Sequence, residues 1–300
     1  MMNDDLIICT RNRPMDLSRC LESVARQVRI PDRIIVCDSS DGPDIAHLVQ
    51  DLAADPLLGH RFTYLSAAPG LPRQRNLAIA DSSGDVVHFI DDDVVLDPRY
   101  FKHIDEVFES DCGGTIGGVG GLITNLPDHR PRWILELLQL DSHRQGTVLR
   151  SGRNVLVFET DGLVEVDWLS GCSMSFRRVV FEDNEFNEKL VGYALGEDVD
   201  FTFRVGQACR LVVCGSARLQ HLSSPVGRLQ RKELVRKELL HRYWRVRDGI
   251  GNLSERAFWV SVGGQLAWLA YQAAARRSRY SAKEMWWTLL GILDIARSRL

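Results

Sequence analysis

The sequence has no C-x-x-C pair, and its seven cysteines (9, 20, 37, 112, 172, 209 and 214) are odd in number and scattered. That spacing excludes a disulfide framework and a zinc site of the usual kind. There is no phosphate-binding loop of the GxxxxGK type, and the common serine-hydrolase and kinase signatures are missing too. Charge of one sign is also lacking: 37 Lys and Arg face 40 Asp and Glu, a formal −3, which argues against a dedicated nucleic-acid binder. Met1 to Asp5 lacks the basic start of a secretion signal, so the expected location is the cytoplasm. Long apolar runs are absent as well. Residues 257–275 carry no charge, but Ser261, Gly263, Gly264, Gln265 and Gln272 dilute them. They read as a buried or membrane-surface helix and not as a membrane span.

What is present is an alternation of strand and helix. Leu6 to Thr10, Arg33 to Cys37, Phe62 to Leu65 and Val86 to Ile90 are short β-branched or apolar runs. Between them, Leu17, Cys20, Leu21 and Val24 recur at helical spacing, and residues 45–52 and 73–80 read as further helices. This rhythm predicts an α/β fold with a mostly parallel sheet flanked by helices. Ligands of such sheets bind at the carboxyl ends of the strands. Polar clusters fall there: Thr10 to Arg13, Asp38 to Asp41 and Asp91 to Asp93.

Six glycines crowd residues 113–121, but the first βα turn holds none, so a dinucleotide fingerprint is not expected. A turn leading into a strand near Val119 to Ile123 is. Residues 127–153 read as a mobile excursion, and Val164 to Leu169 and Ser173 to Phe176 as further strands. From residue 228 a basic helix is expected to about 248, and a last amphipathic segment follows from Met285 to Ile295.

Three clusters carry chemistry. Asp91, Asp92 and Asp93 end a buried strand, where like charges repel unless a countercharge is supplied. An oxygen-rich site of this kind suits Mg²⁺ or Mn²⁺, although a solvated, helix-capping loop would look the same in isolation. Glu197 and Asp198 precede a helical segment; they read either as a helix-terminal pair or as a general base for a hydroxyl. His221 becomes a metal ligand only if the fold brings it to the carboxylates. Arg11, Arg13, Arg73, Arg75, Arg177 and Arg178 offer forks for phosphate oxygens.

The order of these motifs resembles glycosyltransferase family 2, inverting enzymes with a glycosyltransferase-A fold. The resemblance rests on Ile7 to Pro14, Ile34 to Ser40, Gly70 to Asn76, Ile90 to Asp93, Leu169 to Arg178, Gly196 to Asp200 and His221, and spans about residues 5–225. It implies that Thr10 and Asp38 contact the base and ribose of a nucleotide-diphosphate sugar and that Arg75 lies near the base or diphosphate. Arg11, Arg13, Arg73 and Asp92 join this donor-binding set. Asp91 and Asp93 would form the DxD pair, with Asp93 and His221 as metal ligands, and Asp198 would be the catalytic base with Glu197 beside it. Where the family often has two acids after the second strand, Asp38 is followed by Ser39-Ser40, which leaves the nucleobase open. A nucleotidyltransferase on a similar scaffold, or a non-catalytic nucleotide-sugar-binding protein, are the competing readings.

The near-neutral total conceals a division. Residues 222–300 hold 15 Lys and Arg against 6 Asp and Glu, a balance of +9, and the rest of the chain stands at −12. The expected domains are therefore an acidic catalytic domain, 1–225, and a basic helical extension, 226–300. The extension suits an anionic membrane surface, or a homodimer formed through its helices. The acceptor would be a glycan or glycolipid hydroxyl, and no nucleic-acid partner is expected.

Overall fold

Leu6, Ile7 and Ile8 are fully buried in strand β1 (Asp4–Thr10), as a strand in the middle of a helix-covered sheet must be. The structure, a computed structural model, describes residues 2–55, 58–190, 194–224, 229–275 and 281–298. Pro14, whose missing N–H costs nothing at a helix start, opens α1 (Pro14–Ala25), which buries the expected Leu17, Cys20, Leu21 and Val24. Then come β2 (Arg33–Asp38), α2 (Asp44–Ala53), β3 (Phe62–Ser66), α3 (Leu71–Asp81) and β4 (Val86–Asp91). A tight turn leads to β5 (Val94–Leu96), followed by α4 (Tyr100–Ser110), β6 (Ile116–Ile123) and α5 (Trp133–Leu137). Next are β7 (Leu163–Val166), β8 (Ser173–Arg177), α6 (Val180–Asp183), α7 (Glu197–Val205) and β9 (Arg210–His221). Three helices end the chain: α8 (Arg231–Arg247), α9 (Glu255–Ala274) and α10 (Ser281–Ser298).

The strands form one sheet in the order β3-β2-β1-β4-β8-β6-β9-β5, with β7 paired to β9. Strands β3, β2, β1 and β4 are parallel, as the βα rhythm predicts. Register aligns their carboxyl ends: Thr10 pairs with Asp38, and Cys9 with Asp91. Beyond β4 the sheet is mixed: β8 runs antiparallel to β4 and β6, β9 runs parallel to β6, and β5 and β7 run antiparallel to β9, which the rhythm does not announce. Ile90 pairs with Ser173 on β8, and Val94 with His221 on β9.

The glycine cluster is, as expected, a turn leading into a strand, with Gly117, Gly118, Gly120 and Gly121 inside β6. A Cβ at Gly118 would lie 2.7 Å from the Phe176 ring, and one at Gly121 would lie 2.5 Å from the ring of Tyr100, so β6 is bare because large side chains press on it. The turn that precedes the strand lies at Gly113 and Gly114, and the φ of +61° at Gly114 is in the left-handed region.

The chain divides into two compact units, Met1–Asp128 with Val157–Arg228, and His129–Leu156 with Leu229–Leu300. The boundary expected at residue 225 falls in residues 225–228, outside the described residues, as does the expected first residue of the basic helix. Of the expected excursion at 127–153, residues 129–153 pack within the second unit. Leu138 fills the space over Gly264, and Arg153 donates to Gln265 at 2.6 Å. That unit has its own core of Leu239, Tyr243, Val246, Phe258, Val262 and Ile295. A two-pronged Arg236–Asp294 pair (2.7 and 2.8 Å) and an Arg231–Glu284 pair tie α8 to α10.

At the amino ends of β1 and β4, His88 is fully buried between Asp4 (3.2 Å) and Ser175 (2.8 Å). Burial would raise Asp4, but His88, the Asp32 backbone and Arg29 hold it at about 2. Neighbouring Asp105 is lifted to about 6 by burial, with Asp4 adding repulsion that His88 and Arg29 oppose. An acid whose folded value lies above its unfolded one loses stability as pH rises through that window. Asp105→Asn is therefore expected to raise unfolding free energy by about 1–2 kcal/mol at neutral pH. The gain should fade below about pH 6 and vanish near pH 4, as read by urea unfolding across pH.

Candidate active site

Three consecutive carboxylates at a buried strand end cannot share one environment, and the turn from β4 to β5 sends each to a different partner. Asp91, about one-third exposed, faces Arg75 at 3.6 Å. Asp92 is buried and turned back under β1, where it accepts from Thr10 Oγ1 at 2.7 Å and from Arg13 Nη1 at 3.0 Å. Asp93 pairs with His221 Nε2 at 3.1 Å and accepts from the backbone N–H of Ser224 at 2.8 Å. The electrostatics follow. Burial pushes Asp92 up to about 7 against the pull of Arg13 and Thr10. Burial and the Asp93 charge raise Asp91, with Arg75 opposing. For Asp93, burial is outweighed by His221, Ser224 N–H and Arg13, and the group is lowered.

His221 reaches this place because β9 runs antiparallel to β5, which sets it opposite Val94. Ligand atoms of Asp91, Asp93 and His221 all lie within 4.8 Å of one another. The set is two carboxylate oxygens and one imidazole nitrogen, the donors that a hard or borderline divalent cation takes.

The second acidic pair arrives from α7. Gly196, with φ of +79°, turns the chain into the helix, and Glu197 and Asp198 occupy its first turn. Asp198 accepts from the backbone N–H of Gly171 at 2.9 Å and from that of Val199 at 2.8 Å. Glu197 is buried on Arg75, with Nη1 and Oε2 2.5 Å apart. Burial carries Glu197 up to about 8, with Asp198 adding repulsion and Arg75 opposing.

Arg75 therefore sits between both acidic groups. It is 2 % exposed, donates to the Gly171 carbonyl at 3.2 Å and lies 5.1 Å over the Phe186 ring. Phe186 in turn stacks on Phe201 of α7 at 4.0 Å. Gly171 must be small: a Cβ there would meet Arg75 and Asp198 at 3.1 Å each.

Among the residues singled out from sequence, the structure thus gathers Thr10, Arg13, Arg75, Asp91, Asp92, Asp93, Glu197, Asp198 and His221. Asp38 stands at the end of β2, capping Ser40 N–H at 2.8 Å and accepting from Tyr64 Oη at 2.9 Å. Arg11 and Arg73 are half exposed or more and pair outward, with Asp41 and Glu188 at 3.3 Å. Arg177 donates to the Ile116 and Phe108 carbonyls, and Arg178 to the Gly84 carbonyl. Tyr64, Gly171 and Ser224 were assigned no role from sequence. Tyr64 is placed by the parallel pairing of Val36 with Tyr64, which puts it beside Asp38.

The model of the family described as "Glycosyl transferase family 2" matches residues 5–161, just over half of the chain. No curated protein matches the sequence. Among solved structures, a mannosyltransferase from Pyrobaculum calidifontis, in complex with GDP-Man and Mn²⁺, aligns with all of this chain and 88% of its own, at 14% identity and a TM-score of 0.63. GalNAc-T7 with UDP, GalNAc and Mn²⁺ aligns over 92% of this chain and 58% of its own, at 14% identity and a TM-score of 0.60. TarS of S. aureus, residues 1–349, aligns over 89% of this chain and 72% of its own, at 15% identity and a TM-score of 0.55. At these identities the likeness shows the fold.

Removing one partner of a buried ion pair strands the other, at about 3–5 kcal/mol. Arg75→Met is expected to destabilise the protein by that amount in urea unfolding. Arg75→Met combined with Glu197→Gln should recover a large part of the loss, because the stranded charge is gone.

Proposed function

The chain belongs to glycosyl transferase family 2, and from that premise we propose that it transfers a sugar from a nucleotide-diphosphate sugar to a hydroxyl of a glycan or glycolipid, with inversion and with a divalent cation. Family membership makes the protein a glycosyltransferase and sets aside the nucleotidyltransferase reading. One observation carries the finer proposal. The Asp91, Asp93 and His221 group and the Asp198 carboxylate flank a single bridge, Arg75 and the backbone of Gly171.

Asp91, Asp93 and His221 fit a divalent cation in number, spacing and donor type. When bound, Mg²⁺ or Mn²⁺ would neutralise charge on the departing diphosphate. The neighbours solved with Mn²⁺ and with GDP-Man or UDP support both the ion class and the donor class. Asp38, with Thr10 one strand away, would receive the base and ribose.

Asp198 is the proton acceptor in this reading. Its carboxylate is oriented by two backbone N–H groups, of Gly171 and Val199, and it is partly exposed. Glu197 is less suited, because its carboxylate is buried against Arg75. The acceptor hydroxyl gives its proton to Asp198 as its oxygen bonds to the anomeric carbon from the face opposite the leaving diphosphate. The carbon–oxygen bond to the diphosphate breaks in the same step, so the configuration inverts. Arg75 does not move in this step; it keeps Glu197 and Asp91 in place on either side.

The proposal extends to the helical unit. Among the described residues no helix is long and apolar enough to cross a membrane. Yet Val260 and Tyr271 of α9 and Trp286, Leu289 and Leu293 of α10 are exposed, and the sequence between these helices holds Arg276, Arg277 and Arg279. The acids of α10 are paired with α8, and the exposed apolar and aromatic side chains, in a sequence segment rich in arginine, suit the anionic cytoplasmic face of a membrane. Full-length protein should float with phosphatidylserine vesicles and not with phosphatidylcholine alone, and Trp286→Ser with Leu293→Ser should abolish flotation. A dimer by light scattering, lost in the same variant and without flotation, would assign the face to a second copy instead.

For the chemistry, Asp198→Asn is expected to lower transfer about 10²–10⁴-fold while nucleotide-sugar affinity by calorimetry stays within about twofold. Asp93→Ala in the same titrations should lose the Mn²⁺-dependent part of donor binding. Equal loss of binding and transfer in Asp198→Asn would mark a structural acid.

A further inference from the structure

The carboxyl end of β2 carries a hydrogen-bonded network that the proposed chemistry does not use. Asp38 is only 2 % exposed, and both of its carboxylate oxygens are engaged. Oδ1 accepts from the Ser40 N–H at 2.8 Å, and Oδ2 accepts from Tyr64 Oη at 2.9 Å. Tyr64, by contrast, is 37 % exposed. It lies on β3, the last strand on that side of the sheet. The parallel pairing of Val36 with Tyr64 and of Asp38 with Ser66 puts the Tyr64 side chain on the same face as Asp38. A ligand arriving at this strand end therefore meets the phenol first, with the carboxylate behind it.

The surrounding wall is already built. The loop after β1 is fastened to the loop after β2 at three points. Asn12 N–H donates to Ser40 Oγ at 2.7 Å, Asn12 Nδ2 donates to Asp41 Oδ2 at 2.8 Å, and Asp41 N–H donates to Asn12 Oδ1 at 3.0 Å. Asn12 makes these bonds from a φ of +55°, in the left-handed region that asparagine enters more readily than most residues. Ser40 joins the two halves, since its N–H holds Asp38 and its hydroxyl is held by Asn12.

The network fixes what the phenol can do. A tyrosine hydroxyl has one hydrogen. Here that hydrogen is given to a carboxylate, a stronger acceptor than a neutral carbonyl. Burial raises the phenol above its ordinary value and Asp38 adds to the effect, against the Ser66 hydroxyl, so Tyr64 keeps its hydrogen at neutral pH. The oxygen that faces outward can accept a hydrogen bond but has none to donate.

We propose that Tyr64 selects the nucleobase of the donor, taking a base with an exocyclic amine (guanine, adenine or cytosine) over one with carbonyls alone (uracil or thymine). The inference rests on the reading that the base of a nucleotide-diphosphate sugar arrives at Asp38. An amine N–H supplies the hydrogen that the outward oxygen lacks. Uracil and thymine have a single ring N–H with a carbonyl on either side, and a carbonyl set against this oxygen leaves two acceptors unpaired. Tyr64 touches the base in this arrangement. Asp38 is a positioning residue, because it decides which way the hydroxyl points.

Calorimetry on the full-length protein with Mn²⁺ compares GDP, ADP, CDP, UDP and inorganic diphosphate. At least one of the three amine-bearing nucleotides is expected to bind about tenfold or more tighter than UDP. Tyr64→Phe should weaken that nucleotide about three- to tenfold and leave UDP and inorganic diphosphate within about twofold, so that the preference narrows. A merely structural tyrosine would move every ligand together, with a lower melting temperature. UDP that binds as tightly as the best of the others overturns the proposal. So does a Tyr64→Phe protein whose ratio of affinities is unchanged. Nucleotides that bind no better than inorganic diphosphate would remove the donor-site reading at Asp38 as well, whereas a preference for UDP removes only the role given to Tyr64.

Discussion

Three adjacent carboxylates at the end of a buried strand set the terms for the rest of the catalytic unit. Their mutual repulsion is relieved only by separation, and each finds its own countergroup: Arg75 for Asp91, Arg13 with Thr10 for Asp92, and His221 with the Ser224 N–H for Asp93. Those partners come from α3, from β1 and the loop after it, and from β9, so meeting the constraint ties together segments more than a hundred residues apart. The tightness of the β4–β5 turn follows from the same need, because it lets successive side chains diverge. Donor groups that neutralise Asp91 and Asp93 also leave them facing a common point, where a cation would relieve what charge remains.

Arg75 is the second organising group. It is buried between Asp91 and Glu197, backed by Phe186, and bonded to the carbonyl of Gly171, whose own N–H orients Asp198. A single side chain thus sets the spacing between the proposed cation ligands and the proposed base. The aromatic layer beneath, Phe89, Phe176, Phe186 and Phe201, keeps water from the guanidinium and strengthens its pairing.

Much of the parallel half of the sheet was legible in the chain, because β-branched runs, helical spacing and strand-end polar clusters are local signals. The acid pairs and His221 stood out as residue types. Their assembly did not, since it depends on antiparallel pairings of β4 with β8 and of β5 with β9, between segments far apart in sequence. The crowded glycines announced a turn leading into a strand, but nothing local says that Phe176 and Tyr100 will press on that strand. Arg11 and Arg73 looked like phosphate forks by type, and the fold turns both toward surface acids.

By itself the sequence determined the alternation of elements, the order of the acidic motifs and the split of charge between an acidic part and a basic tail, because each is written in neighbouring residues. The tertiary structure decided which acids meet, that Arg75 bridges them, that Tyr64 stands on Asp38, and that residues 129–156 pack with the C-terminal helices. Those outcomes rest on strand register and on burial. Both are set by contacts across the whole chain, and a buried charge acquires its meaning only from the partner that the fold brings to it.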